Sequence, residues 1–503
     1  MRPRRARGRR AVAALGSLLV IGCAALVAPA RDTGVSPPGE SHPFRWDADL
    51  LFAELEDEFA RAVRGDEGHA IAAVEGLERD GGALLASLDG APIAPAEALA
   101  RLANVQFKLA VQGAARPELL PRVQAFLVRS RVETMRAAAG WPLDRPTHEV
   151  LYRVVFGGRI ALDEALVQAG VDALPPLLPI EDIPSAAPSI TVEGVRVHSG
   201  DILLSRGGAP TSALIARGND FANTFSHVAL AHVDPETGEA TVIESLIEAG
   251  SVLSSVEAYL ESKKHRILVM RLRPDHPALS EDPLLAHHAA EGILGRVRDE
   301  HIPYDFAMEW GDTTTAFCSE IVFHPYRELG VDLWSIRSAM SAPGLARWLG
   351  AMGVRELTTL VPSDVEYDPQ VRAVAEWKDA PALMDFRLDN AIIDALLEEA
   401  ERGTGLGYPW YALPAARGLK AYSVAYSALG GEPTIPDGMS ATTALRVDAL
   451  VSKIHPVLKA DLATRAAAFR EERGFEAPYW TLVALARASV AEHREELRPA
   501  LSP

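Results

Sequence analysis

The stretch SHVALAHVDPETGEATVIES, residues 226–245, contains two short apolar runs on either side of a turn. The runs at 228–233 and 240–243 are bounded by polar residues and are typical of β-strands. The Asp-Pro-Glu-Thr-Gly segment between them favours a tight reversal at hairpin distance. We therefore predict an antiparallel pair of strands, with His227 at the start of the first strand and Glu244 at the end of the second.

Short apolar runs of the same kind lie on both sides of this hairpin. Residues 202–204 and 267–270 are further strand candidates. From 277 to 297 apolar residues return at three- and four-residue spacing, which indicates a helix, and another helix begins around Cys318. The middle of the chain is therefore predicted to be an α+β domain with an antiparallel sheet.

The flanks of this domain have a helical pattern. Residues 46–173 and the chain beyond 364 repeat apolar residues at helical spacing, while the Pro-rich segment from 174 breaks the pattern. A chain of 503 residues also exceeds the usual size of one hydrophobic core. We divide it into an export signal (1–30), a helical N-terminal region (31–173), a Pro-rich linker (174–194), an α+β domain (195–380) and a helical C-terminal region (381–503).

The first thirty residues have the pattern of an export signal. Residues 1–10 carry six Arg and no acid, and residues 11–30 are uncharged and apolar. Three endings stay open: a lipobox that would lead to lipidation of Cys23, an A-x-A cleavage site at 28–30, or an uncleaved apolar span. All three place the rest of the chain outside the cytoplasm, in the cell envelope or periplasm.

Charge restricts the partners of the mature chain. The formal net charge is −18. It becomes about −24 once the six Arg of the signal are removed. Such a chain is not expected to bind nucleic acid, and anionic lipid head groups offer it no attraction. Membrane attachment is expected only through the N-terminus.

Cysteine usage singles out one thiol. The chain has two Cys, and one of them, Cys23, lies in the signal. Cys318 therefore has no partner for an intramolecular disulfide in the mature chain, so it is either a small core residue or a reactive thiol. A polar stretch at 311–315 precedes Cys318 and a helical pattern follows it. At the start of a helix, free N–H groups and the helix dipole favour a thiolate.

A thiol hydrolase needs a nucleophile, a base and a group that orients the base. Cys318, His227 and Glu244 are the candidates for these three roles, because a hairpin brings the last two close together. A carboxylate beside His227 would fix its tautomer. Taken singly, a His at a strand start and a Glu at a strand end are more often surface or core residues.

Five segments resemble one known family. They resemble the YiiX/YaeF-like branch of the NlpC-type, papain-like cysteine peptidases. The segments are GDILLSR (200–206), SHVAL (226–230), VIES (242–245), PYDF (303–306) and FCSEIV (317–322). In that branch the papain-like fold is circularly permuted, so that the His and its carboxylate precede the Cys, which is the order seen in this chain. The resemblance extends over about 195–379.

The resemblance implies a permuted papain-like catalytic domain and a cysteine amidase or peptidase. It implies Cys318 as nucleophile, His227 as base, Glu244 as orienting group and Tyr304 as a residue that lines the site. It implies no cofactor. The substrate it implies is a peptide or acyl-amide, with peptidoglycan fragments as the expected class.

Two alternatives of different kinds remain open at this point. Related permuted enzymes act on lipids, so an N-acyl amidase, esterase or acyltransferase on the same fold is the first, with the flanking helices sheltering an acyl chain. The second is a non-catalytic envelope scaffold whose site is vestigial. The matching Cys, His and Glu argue against the scaffold.

Two other clusters are interpreted as structural. His287, His288 and Glu291 have a spacing compatible with metal binding, but they lack the H-E-x-x-H order. We expect a solvated helix face there and no metal. The aromatic run at 408–411 is expected to pack in the core, although a lid or a lipid contact is the alternative.

Overall fold

The computed structural model describes residues 42–502 apart from Asp47, Lys263, Gly430 and Glu432. The predicted export signal, with Cys23 and the three endings proposed for it, lies outside the described residues. Among the residues that are described, no helix is both long enough and apolar enough to cross a membrane.

The N-terminal region is helical, as its pattern predicted. Its helices are α1 (Ala48–Arg64), α2 (Glu67–Ala86), α3 (Ala96–Ala115), α4 (Leu120–Ala138) and α5 (Arg145–Ala169). The side chain of Asp144 accepts a hydrogen bond from the Thr147 N–H and so caps α5, which ends at Gly170 with a φ of 110°. The helices pack around a shared apolar core.

The middle of the chain alternates strands with short helices. Its strands are β1 (Leu177–Pro179), β2 (Ser189–Val192), β3 (Val195–His198), β4 (Ile202–Gly207), β5 (His227–Val233), β6 (Ala240–Leu246), β7 (Gly250–Ser255), β8 (Lys264–Leu272), β9 (Ser338–Ala339), β10 (Thr358–Thr359) and β11 (Val371–Lys378). Its helices are α6 (Pro210–Arg217), α7 (Val256–Glu261), α8 (Pro277–Glu281), α9 (Leu285–Asp299), α10 (Glu320–Glu328) and α11 (Pro343–Met352).

The C-terminal region is again helical. It contains α12 (Ala382–Glu401), α13 (Leu413–Ser427), α14 (Ala441–Asp448), α15 (His455–Arg473), α16 (Tyr479–Glu492) and α17 (Arg494–Leu497). A two-stranded ribbon of β12 (Gly405–Leu406) and β13 (Leu501–Ser502) ties its end to its beginning.

One antiparallel sheet organises the middle of the chain, in the order β1-β11-β8-β4-β5-β6-β7. The predicted hairpin is confirmed, with Leu230 opposite Ile243 and Val233 opposite Ala240. The Asp234 N–H donates to the carbonyl of Glu239 and closes the turn. The fold class, α+β with an antiparallel sheet and helical flanks, is as predicted.

The two faces of the sheet have separate apolar cores because strand side chains alternate. Val228 and Leu230 of β5 face α9 and α10 and join a core that contains Cys318. Ala229 belongs to the core on the opposite face, where Tyr259 of α7 packs. Since β5 is buried on both faces, its sequence is a nearly continuous apolar run.

Two segments differ from the sequence prediction. The helix predicted over 277–297 is two helices, α8 and α9, because Pro283 disfavours a helical backbone at Asp282 and has no N–H to donate. The Pro-rich segment 174–194 does more than link two regions. Its residues form β1, the edge strand beside β11, and edge positions tolerate Pro.

Two side-chain clusters also differ from the prediction. His287 is buried instead of solvated, and its Nδ1 lies 2.8 Å from the Ser199 Oγ. No group of three or more potential metal ligands is found in the described part of the chain. Trp410 and Tyr411 are 68% and 72% exposed, so the expected core packing of this aromatic run is wrong. The adjoining helix α13 also leaves tyrosine side chains exposed, so this end of the C-terminal region has an aromatic surface.

Candidate active site

His227 and Glu244 meet on neighbouring strands. His227 is the first residue of β5, opposite Ser205 of β4, and Glu244 lies in β6. The Nε2 atom of His227 is 2.8 Å from the Oε2 atom of Glu244. Both side chains lie mostly out of solvent, with side-chain exposures of 17% and 4%. The hairpin thus places a carboxylate where it fixes the imidazole orientation.

Cys318 lies in the turn that leads into α10, and it is 6% exposed. Two contacts hold this turn. The Ser245 Oγ, next to Glu244, donates to the carbonyl of Ala316 at 2.6 Å, and the Phe317 N–H donates to the carboxylate of Glu320 at 3.0 Å. The strand that carries Glu244 therefore also positions the segment that carries the thiol.

The His227 imidazole lies between two acidic groups. Burial alone would lower its pKa, but hydrogen bonds with Cys318 and with Glu244, together with their charges, raise the pKa to about 9. These partners favour the imidazolium form of His227. A cation held beside a sulfur stabilises the thiolate form of that sulfur, which is the nucleophilic form.

Glu244 is held as a carboxylate by His227 and by Lys264, a neighbour that the sequence did not reveal. Burial opposes ionisation, but His227 and Lys264 lower the pKa of Glu244 to about 2. The Lys264 Nζ is 3.0 Å from the Glu244 Oε2, and the Ser254 Oγ donates to Oε1 at 3.3 Å. The ammonium of Lys264 also lies 3.4 Å from the ring centre of Tyr259, a cation–π contact.

Tyr304 packs against the apolar core that contains Cys318. Its phenol pKa is raised well above the ordinary value by burial and by the charge of Cys318. Its ring packs edge-on against Phe306 at a centroid distance of 5.0 Å. The turn is held by Asp305, whose carboxylate accepts the N–H groups of Ala307 and Glu309.

A segment of the C-terminal region contacts this loop. A Cβ placed on Gly438 would come within 2.6 Å of the Phe306 ring and 2.9 Å of the Tyr304 carbonyl oxygen. The glycine therefore allows the segment after α13 to approach the loop closely. The C-terminal region consequently packs against the loop that carries Tyr304 and Phe306.

Comparison with known proteins gives a family match for the sheet domain. The family model described as permuted papain-like amidase enzyme, YaeF/YiiX, C92 family, matches residues 196–375. This part of the chain is therefore similar to that family. The match covers less than half of the 503 residues. No curated protein and no solved structure matches the chain.

The permuted papain-like domain thus consists of the antiparallel sheet with α9 and α10, and the match ends within β11. The family is one of amidases, which supports a cysteine amide hydrolase. Asp201, in the first matched segment, accepts the His198 N–H at 2.8 Å and pairs with Arg271, so it has a structural part. Lys264, whose side chain is 11% exposed, is a neighbour of the site that sequence reasoning missed.

Proposed function

We propose that this chain is an exported cysteine hydrolase that cleaves amide bonds in cell-wall peptides through Cys318, His227 and Glu244. The observation that carries the proposal is the imidazole of His227, whose Nε2 lies 2.8 Å from a buried carboxylate and whose pKa is raised by Cys318 as well as by Glu244. These are the relations that thiol hydrolysis requires.

In the first half-reaction the Cys318 thiolate attacks the amide carbonyl carbon and forms a C–S bond. The carbonyl π electrons move to oxygen and give a tetrahedral oxyanion. When this intermediate collapses, the C–N bond breaks and His227 donates its proton to the leaving amine. The acyl group is left as a thioester on Cys318, with His227 neutral.

In the second half-reaction a water molecule attacks the thioester carbonyl while His227 accepts one of its protons. The C–S bond breaks, the carboxylic acid leaves, and the thiolate is restored beside an imidazolium. Glu244 remains ionised throughout because Lys264 and His227 hold its pKa at about 2. Its part is to keep the ring oriented and to stabilise the imidazolium. We propose that Tyr304, which packs against the core that contains Cys318, lines the substrate site.

The choice of substrate rests on two supports. The family is one of amidases, and the Arg-rich, apolar N-terminus is the pattern of an export signal, which brings the enzyme to the cell wall. The test is to incubate the purified protein with muropeptides and, separately, with envelope lipid extracts, and to identify products by mass spectrometry. Cys318→Ala is the control.

Each outcome of this experiment assigns the activity. New free amines and carboxylates from muropeptides, absent with Cys318→Ala, support the proposal. Products from the lipid extract alone would replace it with the lipid-directed alternative. No product from either extract would favour the non-catalytic scaffold.

Export and anchoring are tested on the protein isolated from its native envelope. Mass spectrometry of the mature N-terminus distinguishes an acylated Cys23 from a free Arg31 produced by cleavage after the A-x-A site. An intact Met1 on protein found in the cytoplasm would contradict export.

A further inference from the structure

A cavity lies where the three parts of the chain meet. Its cavity volume is about 230 Å³, and it opens to solvent on one side. Helices α1, α3 and α5 form one side, α12 and the start of α16 form the other, and β8 supplies the inner end. Ligand pockets in proteins commonly measure about 300–1,000 Å³, so the cavity lies just below that range and suits one slender molecule.

The walls of this cavity are mainly apolar and rich in aromatic rings. Phe52 and Phe59 of α1 and Phe107 of α3 face Phe386 of α12 and Trp480 of α16 across it. Small side chains on α3 and α5 keep the space between the rings open. Such a lining favours hydrocarbon and disfavours peptide groups, which would lose their hydrogen bonds to water.

The inner end of the cavity holds a hydrogen-bond donor without a protein acceptor. Arg266 is 1% exposed; its Nη2 donates to Asp163 at 2.7 Å, and its Nε lies 3.4 Å from Glu376. Within the described chain its Nη1 has no hydrogen-bond partner. Arg217, also at the wall, is satisfied by two bonds of 2.8 Å to Asp394. A buried donor of this kind favours a ligand oxygen.

The cavity is separate from the thiol site. Cys318, His227 and Glu244 are not among its lining residues. Thr224 of the wall precedes His227 by three residues, and Arg266 follows Lys264 by two. A ligand in the cavity would therefore touch residues close in sequence to the catalytic ones without touching the sulfur.

We propose that this cavity binds a single-chain amphiphile. Its acyl chain lies among the aromatic rings, and its terminal carboxylate or carbonyl oxygen accepts a hydrogen bond from the Arg266 Nη1. The proposal does not depend on the hydrolase activity, because none of the catalytic residues lines the cavity.

The test uses delipidated full-length protein and oleate, titrated by calorimetry, with methyl oleate as a second ligand. Ala114→Trp, at the wall of the cavity, fills space and should weaken oleate binding about tenfold or more. Ala72→Trp, on the exposed face of α2, is the matched control and should bind like the wild type. Cys318→Ser should also bind oleate normally.

The head-group contact is tested with Arg266→Lys, which keeps a cation beside Asp163 but removes Nη1. Oleate binding should weaken by about tenfold. If methyl oleate binds as tightly as oleate, a carbonyl oxygen suffices; if it binds more weakly, the head is a carboxylate. Thermal unfolding of each variant shows that the protein remains folded.

Two results would overturn the proposal. Equal oleate affinity in Ala114→Trp and Ala72→Trp would show that the ligand binds elsewhere. Failure of the full chain to bind oleate would also do so. If a truncated chain that lacks residues 1–30 then bound oleate, the chain's own apolar N-terminal segment would be the occupant of the cavity in the full chain.

Discussion

At the scale of single residues, His227 determines how the site depends on pH. Its pKa of about 9 lies above the ordinary value of 6.5 because Cys318 and Glu244 interact with the imidazolium more strongly than burial opposes it. The imidazolium is complete below the ordinary pKa and is lost as the pH rises through about 9. The kcat/KM for amide hydrolysis should therefore fall above about pH 9.

Glu244→Gln isolates the charge of the orienting group, because the amide retains a hydrogen-bonding side chain. The pKa of His227 should fall, so the alkaline limb of the kcat/KM profile should move to lower pH. The kcat should drop about 10²-fold, since the imidazolium loses its partner. A pH–rate series for both proteins measures this, and an unmoved alkaline limb would contradict the pairing.

Lys264 acts on the site through Glu244, and its part is to keep that carboxylate ionised and in position. It lowers the pKa of that carboxyl, whose ionised form is present above its ordinary value of 4.5 and is lost as the pH falls toward about 2. Lys264→Met should therefore move the acid limb of kcat/KM to higher pH. The exposed Lys453→Met is the control. If both variants have the wild-type profile, Lys264 has no such part.

The sequence was enough to predict residues whose contacts are made by adjacent strands of one hairpin. It was not enough to predict the contact of Lys264. His227 and Glu244 are joined by a hairpin whose turn is visible in the sequence. Lys264 begins β8, and β4 and β5 lie between that strand and β6. Its contact with Glu244 depends on sheet order and on the reach of a long side chain, neither of which a local pattern encodes.

At the scale of secondary-structure elements, the backbone before β4 has to approach α9 closely. Gly200 has a φ of 91°, and a Cβ placed on it would lie 2.4 Å from the Ala286 carbonyl oxygen. Both strain and overlap would therefore oppose a larger residue.

Gly200→Ala should lower the free energy of unfolding by about 2–4 kcal/mol, through strain and overlap together. Gly90→Ala is the matched control, because Gly90 has a φ of 67° but a Cβ added to it would meet no atom within 4 Å. It should lose only about 1 kcal/mol. Urea unfolding measures both, and equal losses would contradict the close approach.

The spacing of apolar residues predicted most helices and strands, because in each of them one spacing dominates. The helices of both flanks and the strands of the hairpin followed it. It failed where two influences compete: Pro283 interrupts an otherwise helical run, and the Pro-rich 174–194 segment supplies an edge strand. In the second case, pairing with β11 stabilises a strand that local preference does not predict.

At the scale of the whole molecule, buried ion pairs connect the N-terminal helices to the sheet region. Arg159 of α5 donates to Glu366 at 2.7 Å and lies 3.2 Å from Glu376 of β11. Arg131 of α4 donates to Glu366 at 2.6 Å. The apolar core of the N-terminal helices also includes Phe386 of the C-terminal region. The partners are far apart in sequence, so neither contact was predictable from local pattern.

Arg159→Met should destabilise the protein by about 3–5 kcal/mol, because it leaves two buried carboxylates without their shared cation. Arg129→Met, which removes an exposed ion pair with Glu133, is the control and should cost at most about 1 kcal/mol. Chemical unfolding distinguishes the two. Similar small losses of stability in both variants would mean that the buried charges do not hold the N-terminal helices against the sheet region.

The most direct test of the central claim is the rate at which iodoacetamide alkylates Cys318, measured by peptide mapping at pH 6. Cys318 of the wild type, activated by His227, should react about 10²-fold faster than free cysteine at this pH. His227→Ala should lose that advantage. Equal alkylation rates in the wild type and His227→Ala would contradict the proposed catalytic pair.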